Sequence, residues 1–88
     1  LSQNYPNPFN SGTTIEYSLT QPAKVNLAIY DLTGRLINTL VDYDQPADRF
    51  TVHWNGIGQR GTPVSAGVYF CRLQTAGHNR TIKMLLLK

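Results

Sequence analysis

Apolar and polar residues alternate, one for one, along several separate stretches of this chain. That period of two rules out a helical protein, because successive side chains of a strand point to opposite faces and alternate positions line one of them. Ile15, Tyr17 and Leu19 share a face against Thr14, Glu16 and Ser18, and Val25, Leu27 and Ile29 repeat the pattern against Asn26 and Ala28. Phe50, Val52 and Trp54 alternate with Thr51 and His53, and Tyr69, Cys71 and Leu73 alternate with Phe70 and Arg72. The apolar members are β-branched, aromatic or leucine, the types that suit a pleated, half-buried surface. No amphipathic helix of useful length is present.

Turn residues divide these stretches. Gln21-Pro22 ends the first, and Asp31-Leu32-Thr33-Gly34 predicts a hairpin between 24–30 and 35–41. Asp42 to Asp48 reads as a polar loop around Pro46, the run from Asn55-Gly56 to Gly61-Thr62-Pro63 as a glycine-rich loop, and Ala76-Gly77-His78 as the last turn. Leu36, Ile37, Leu40 and Val41 fit no single face, which predicts a β-bulge. Six strands are clear, and a short seventh is expected near Pro63-Val64, at roughly 8–12-residue spacing. The expected fold is therefore all-β, an immunoglobulin-like antiparallel β-sandwich of about seven strands with Trp54 in its core. Tyr69 stands two residues before Cys71, as in the tyrosine corner of immunoglobulin-like sandwiches. Cys71 is the only cysteine, so the corner is expected without an intramolecular disulfide.

The chain has 88 residues and reads as a single domain, a leading segment over 1–12 and a sandwich over 13–88. A domain this small buries roughly 60–65% of the surface its unfolded chain exposes. Its stability, about 4–13 kcal/mol, leaves little to offset a deep pocket with buried charges. The net charge of +3 comes from Lys and Arg spread along the sequence rather than clustered, which argues against a nucleic-acid partner. No apolar run is long enough for a transmembrane segment. The chain starts at Leu1 rather than Met, so it is expected to be excised from a larger secreted protein, any N-terminal export signal lying upstream.

Residues that could carry chemistry are few. His53, His78 and Cys71 lack metal-ligand spacing. Asp42, Asp44 and Asp48 lack the glycine and terminal Glu of a calcium-binding EF-hand loop. No Gly-x-Ser-x-Gly element occurs, and Glu16, the only Glu, alternates outward on a strand where nothing would raise its pKa. Gly56, Gly58 and Gly61 precede no helix that could hold a phosphate. Asn79-Arg80-Thr81 matches the glycosylation sequon, a match that short sequences produce by chance. No catalytic residue, metal or cofactor is expected. Tyr5, Phe9, Tyr30, Tyr43 and Trp54 raise a carbohydrate-binding alternative, because flat rings stack on sugars, although most lie in separate segments and packing in the core or the leading segment accounts for them more simply. The closing run is more informative. Ile82, Met84 and Leu86 can face a core, which leaves Leu85 and Leu87 on the opposite side. Either this strand is covered by the rest of the domain, or it offers an edge and an apolar face to a partner by β-augmentation.

The leading run Gln3-Asn4-Tyr5-Pro6-Asn7-Pro8-Phe9-Asn10 can be neither helix, since proline restricts the residue before it, nor alternating strand. Tyr5 and Phe9 read as anchors that lay it on the sandwich. With Ile15-x-Tyr17-x-Leu19, Val25-x-Leu27-x-Ile29-Tyr30-Asp31, Gly34-Arg35, Trp54-x-Gly56, Gly61, Gly67-Val68-Tyr69 and Lys83-Met84, this run makes a collinear set covering essentially the whole chain. In that set the chain resembles the C-terminal sorting domains of type IX secretion, a family typical of the Bacteroidetes. Its Trp-x-Gly and Gly-x-Tyr portions are also similar to the immunoglobulin-like domain of flagellar hook-capping proteins. The first resemblance implies a non-catalytic address. Such a module directs an upstream secreted cargo, often a glycosidase or peptidase, across periplasm and outer membrane to the cell surface or medium. Its partners would be the outer-membrane type IX machinery, the processing peptidase and the upstream cargo domain. The residues it points to for recognition are Gly67, Val68 and Tyr69 with Lys83, Met84, Leu85, Leu86, Leu87 and Lys88. The second resemblance implies a structural interaction domain instead.

Overall fold

The alternating stretches become strands in a computed structural model that describes all 88 residues. In chain order they are β1 (Thr13–Ser18), β2 (Ala23–Asp31), β3 (Leu36–Gln45), β4 (Arg49–Trp54), β5 (Gly67–Thr75) and β6 (His78–Leu86), with no helix. β1 pairs with β4 in one sheet, and the other sheet runs β3-β2-β5-β6, every pair antiparallel. The inward members of each alternation meet between the sheets. Ile15 and Tyr17 of β1, Val25, Leu27 and Ile29 of β2, Trp54 of β4, Cys71 and Leu73 of β5 and Met84 and Leu86 of β6 form one buried cluster. Trp54 is its centre. Its ring packs edge-on to Phe9 at 5.8 Å and to Tyr69 at 5.4 Å between centroids. Its indole N–H donates to the carbonyl of Ile57 at 3.0 Å, so the buried polar atom is satisfied.

The bulge expected in β3 is present twice. Leu27 pairs with Val41 but Ala28 with Thr39, which leaves Leu40 extra. Ile29 pairs with Asn38 but Tyr30 with Leu36, which leaves Ile37 extra. Each extra residue resets the alternation, so Ile37 and Leu40 pack on the core while Leu36 is exposed. The polar loop expected from Asp42 to Asp48 is shorter than the sequence suggests. Asp42 and Asp44 belong to β3, opposite Asn26 and Lys24 of β2, and Gln45 is buried, accepting a 2.6 Å hydrogen bond from the Tyr17 hydroxyl. The three aspartates therefore do not share a loop. Pairing with a long β2 outweighs the weak strand propensity of Asp.

At Pro63-Val64 the structure has a single bridge, Ile57 to Pro63, and no strand, consistent with a proline that has no N–H to donate. The leading segment takes an additional strand position instead, divided between the two sheets. The N–H of Ser2 donates to Glu16, and Tyr5 and Thr14 exchange both backbone hydrogen bonds at 2.9 Å. The chain then crosses the side of the sandwich, with cis Tyr5–Pro6 and Asn7–Pro8 bonds, and Phe9 lies parallel to Leu86 at the edge of β6. Phe9 is an anchor as expected, 2% exposed, but Tyr5 is not: its ring is 81% exposed and only its backbone pairs. The second anchor is Asn4, 3% exposed, whose amide donates to Thr13 Oγ1 at 2.9 Å and to the Pro6 carbonyl.

Candidate recognition surface

The two stretches singled out for recognition are cross-strand neighbours. On β5 and β6, Gly67 faces Leu86, Val68 faces Leu85, Tyr69 faces Met84 and Phe70 faces Lys83. The register also divides the set by face. Tyr69, Met84 and Leu86 point inward and are buried, so in the folded domain they support the surface rather than form it. Val68, Lys83 and Leu85 point outward, and Leu87 and Lys88 extend past the strand into solvent. Leu85 and Leu87 remain 36% and 45% exposed.

A tyrosine corner fixes the start of β5. The Tyr69 hydroxyl donates to the carbonyl of Ser65, four residues upstream, at 2.6 Å, and burial raises its pKa above the usual tyrosine value. Gly67 makes the corner possible. Its φ of +149° lies where L side chains are strained, although an added Cβ would touch nothing within 4 Å. The cost of replacing it is in the backbone, not in space.

β6 is an edge strand, and the leading segment covers part of its open side. The Phe9 N–H donates to the carbonyl of Leu85 (3.0 Å), and the Leu87 N–H to the carbonyl of Phe9 (2.8 Å). Asn7 Oδ1 accepts from the Leu85 N–H at 3.0 Å, and the Gln3 amide donates to the carbonyl of Lys83 at 2.9 Å. The groups that would otherwise invite another strand are therefore met from within the chain between Lys83 and Leu87. Both ends of the molecule are joined at this edge.

The outward face brings in residues that the sequence reading left aside. Tyr30 of β2 lies beside Phe70 of β5, and Leu36 of β3 lies beside Tyr30. The Arg72 guanidinium sits 4.8 Å from the Tyr30 ring centroid and donates to its hydroxyl at 2.7 Å. Parity alone could have found Phe70 and Arg72. Leu36 was beyond its reach because two bulges intervene. The aromatics considered for sugar stacking do not form one platform. Phe9 and Trp54 are core, the Tyr30 ring is covered by Arg72, and Tyr5 and Tyr43 are exposed on different elements.

Elsewhere the titratable groups stand apart. No three His, Cys, Asp or Glu residues gather as metal ligands would. Burial pushes the Cys71 thiol up to about 12, so it is an unreactive apolar group at neutral pH. Asp31 holds its hairpin turn by accepting from Thr33 N–H, Thr33 Oγ1 and Arg35 N–H, and these bonds lower its pKa. No helix is long and apolar enough to cross a membrane.

Against known proteins, the sequence model of the FlgD Ig-like domain matches residues 5–78. No curated protein matches the chain. Among solved structures it is similar to PorZ of Porphyromonas gingivalis, an essential bacterial surface component of the type IX secretion system, with 27% identity and a TM-score of 0.66 over 97% of this chain. It shares the fold of dimeric latent PorU from the same organism, with 22% identity and a TM-score of 0.68 over 96% of this chain. The chain spans only 11% and 9% of those two proteins.

Proposed function

Because the chain belongs to the FlgD Ig-like domain family, we propose that it is a non-catalytic immunoglobulin-like module whose role within that family is to direct an attached secreted protein through type IX secretion. The cargo, a hydrolase in the commonest case, would cross periplasm and outer membrane and reach the cell surface or medium. The machinery at the outer membrane and its processing peptidase would be the partners.

The observation that carries this reading is the likeness to PorZ, which extends over 97% of the chain. It necessarily includes most of β6, whereas the family match stops at residue 78, where β6 begins. The part of the chain beyond the family match thus has a structural counterpart in a surface component of the secretion system. It is also the part to which the leading run is bound.

A passenger fused ahead of residue 1 tests the proposal. It should appear outside the cell in a host with a type IX system and remain periplasmic in the same host lacking it. Equal export in both hosts, or retention in both, refutes the targeting role. Deleting Lys83 to Lys88 would remove Met84 and Leu86 from the core, so loss of export on that deletion would report on folding as well as on recognition.

A structural interaction domain of the hook-capping type is the second reading, favoured by the family match itself. It requires self-association or a filament partner, which sedimentation of the isolated module would reveal. The carbohydrate-binding alternative has less support, because the dispersed aromatics offer no stacking platform.

A further inference from the structure

The outer face of the four-stranded sheet is chemically divided along its length. At the end near the β2–β3 turn, Leu36, Tyr30, Phe70 and Lys83 form one cross-strand row, with Val68 and Leu85 side by side beyond it. The adjacent row holds Thr39, Ala28, Arg72 and Thr81. At the far end Lys24 faces Asp44 and Asn26 faces Asp42. The far end thus carries two acids beside one base, while the near end has two cations in an apolar field. The molecule's one ion pair, Arg35 to Asp31, lies in the turn, and neither Arg72 nor Lys83 meets a carboxylate.

Arg72 is also immobilised. Its guanidinium lies over Tyr30 and is bonded to the hydroxyl, and its Nε is buried without a partner. A cation already held in place loses less entropy when it meets an anion. Ala28, its cross-strand partner, is 1% exposed although its position faces outward.

We propose that this face docks a protein segment bearing carboxylates beside apolar side chains. Arg72 and Lys83 meet the carboxylates, and Val68, Phe70, Leu85 and Leu36 receive the apolar groups. Two cations are too few for a nucleic-acid backbone or an anionic membrane, which call for a larger basic cluster. A sugar would need an open ring face, and Arg72 occupies that of Tyr30. A second copy in the same orientation would set cation against cation. The proposal rests on the targeting reading in one respect, that the segment belongs to the secretion machinery.

The test uses the full passenger fusion in a type IX host. Lys83→Glu, and separately Leu85→Glu, place an acid on the face at exposed positions. Each should lower export at least about tenfold, while Lys83→Arg and the control Glu16→Lys on the other sheet leave it unchanged. Thermal melting of the purified modules establishes that all variants fold. A photo-reactive residue at position 85 should cross-link to a protein segment containing Asp or Glu, and one at the exposed position 51 should not. Wild-type export with both acid variants exported equally well overturns the docking surface alone. An adduct lacking carboxylates, an adduct to lipid or polysaccharide, or no adduct also overturns it. A wild-type fusion that is never exported overturns the targeting reading, and this inference with it.

Discussion

The first ten residues and the last six lie against each other, yet they are held by different physics. β6 is held by a regular ladder to β5 and buries alternate side chains, Met84 and Leu86, to 0% and 2% exposure. The leading run has no ladder of its own. It is held by a few backbone bonds, three side-chain amides and one buried ring. A strand with a regular ladder can leave its outer side chains free for another role, since its inner ones supply the burial. An irregular strap depends instead on a few anchors bound to the core, Phe9 and Asn4. Stability and recognition should therefore separate along this edge, with the strap contributing the first and the outer face of β6 the second.

The largest expected effect is on the strap's ring. Phe9→Ala should cost about 3–5 kcal/mol, a large part of the total expected for a domain of this size, as measured by denaturant unfolding. A loss below about 1 kcal/mol would mean that the strap is not anchored by its ring.

Alkaline pH should act next, on the core that both ends share. The Cys71 thiol has a folded-state value near 12 against an ordinary 9.0. The folded protein therefore keeps a proton that the unfolded chain gives up. The resulting stability is fully present below about pH 9 and is lost as pH rises from about 9 to about 12. Tyr17 and Tyr69, both raised by burial, shift the balance in the same direction. Unfolding midpoints measured at stepped pH should fall over that range, and Cys71→Ala should flatten part of the slope.

Asn4→Ala removes a buried amide that bonds Thr13 and Pro6, at a cost of about 1–3 kcal/mol. Asn7→Ala should act more locally. The Leu85 amide, which donates to Asn7, should exchange with solvent faster while Leu87, held by the Phe9 carbonyl, stays protected. Equal acceleration at both amides would show that the strap opens as one unit.

The smallest effect is expected on the opposite side of the same edge. Leu85→Ser should change stability by no more than about 0.5 kcal/mol, because that side chain already faces solvent. A larger loss would mean that the outer face stabilises the domain and the separation fails.

Much of the fold was legible because β1, β2, β4, β5 and β6 keep strict alternation. Each inward position follows from its neighbour, and the assignment of Ile82, Met84 and Leu86 to the core against Leu85 needed nothing else. β3 was only partly legible. The sequence signals that its alternation fails, but where Ile37 and Leu40 are inserted depends on the register with β2. Asp42 and Asp44 read as loop because their composition suits a loop, and only the length of β2 opposite them makes them strand. Tyr5 and Phe9 look alike as anchors in the sequence. The space beside Trp54 accepts only the second.

By itself, then, the sequence determined the class of fold, the faces of the regular strands, the tyrosine corner and the apolar closing run. These are local: side-chain period and turn chemistry act between near neighbours. Only the tertiary structure decided which residues share a surface. The contact between Phe9 and Leu86, the placing of Arg72 over Tyr30, and the row from Leu36 to Lys83 join residues far apart in the chain. Such contacts follow from strand order and register, which are set when the whole core closes, and no local pattern encodes them.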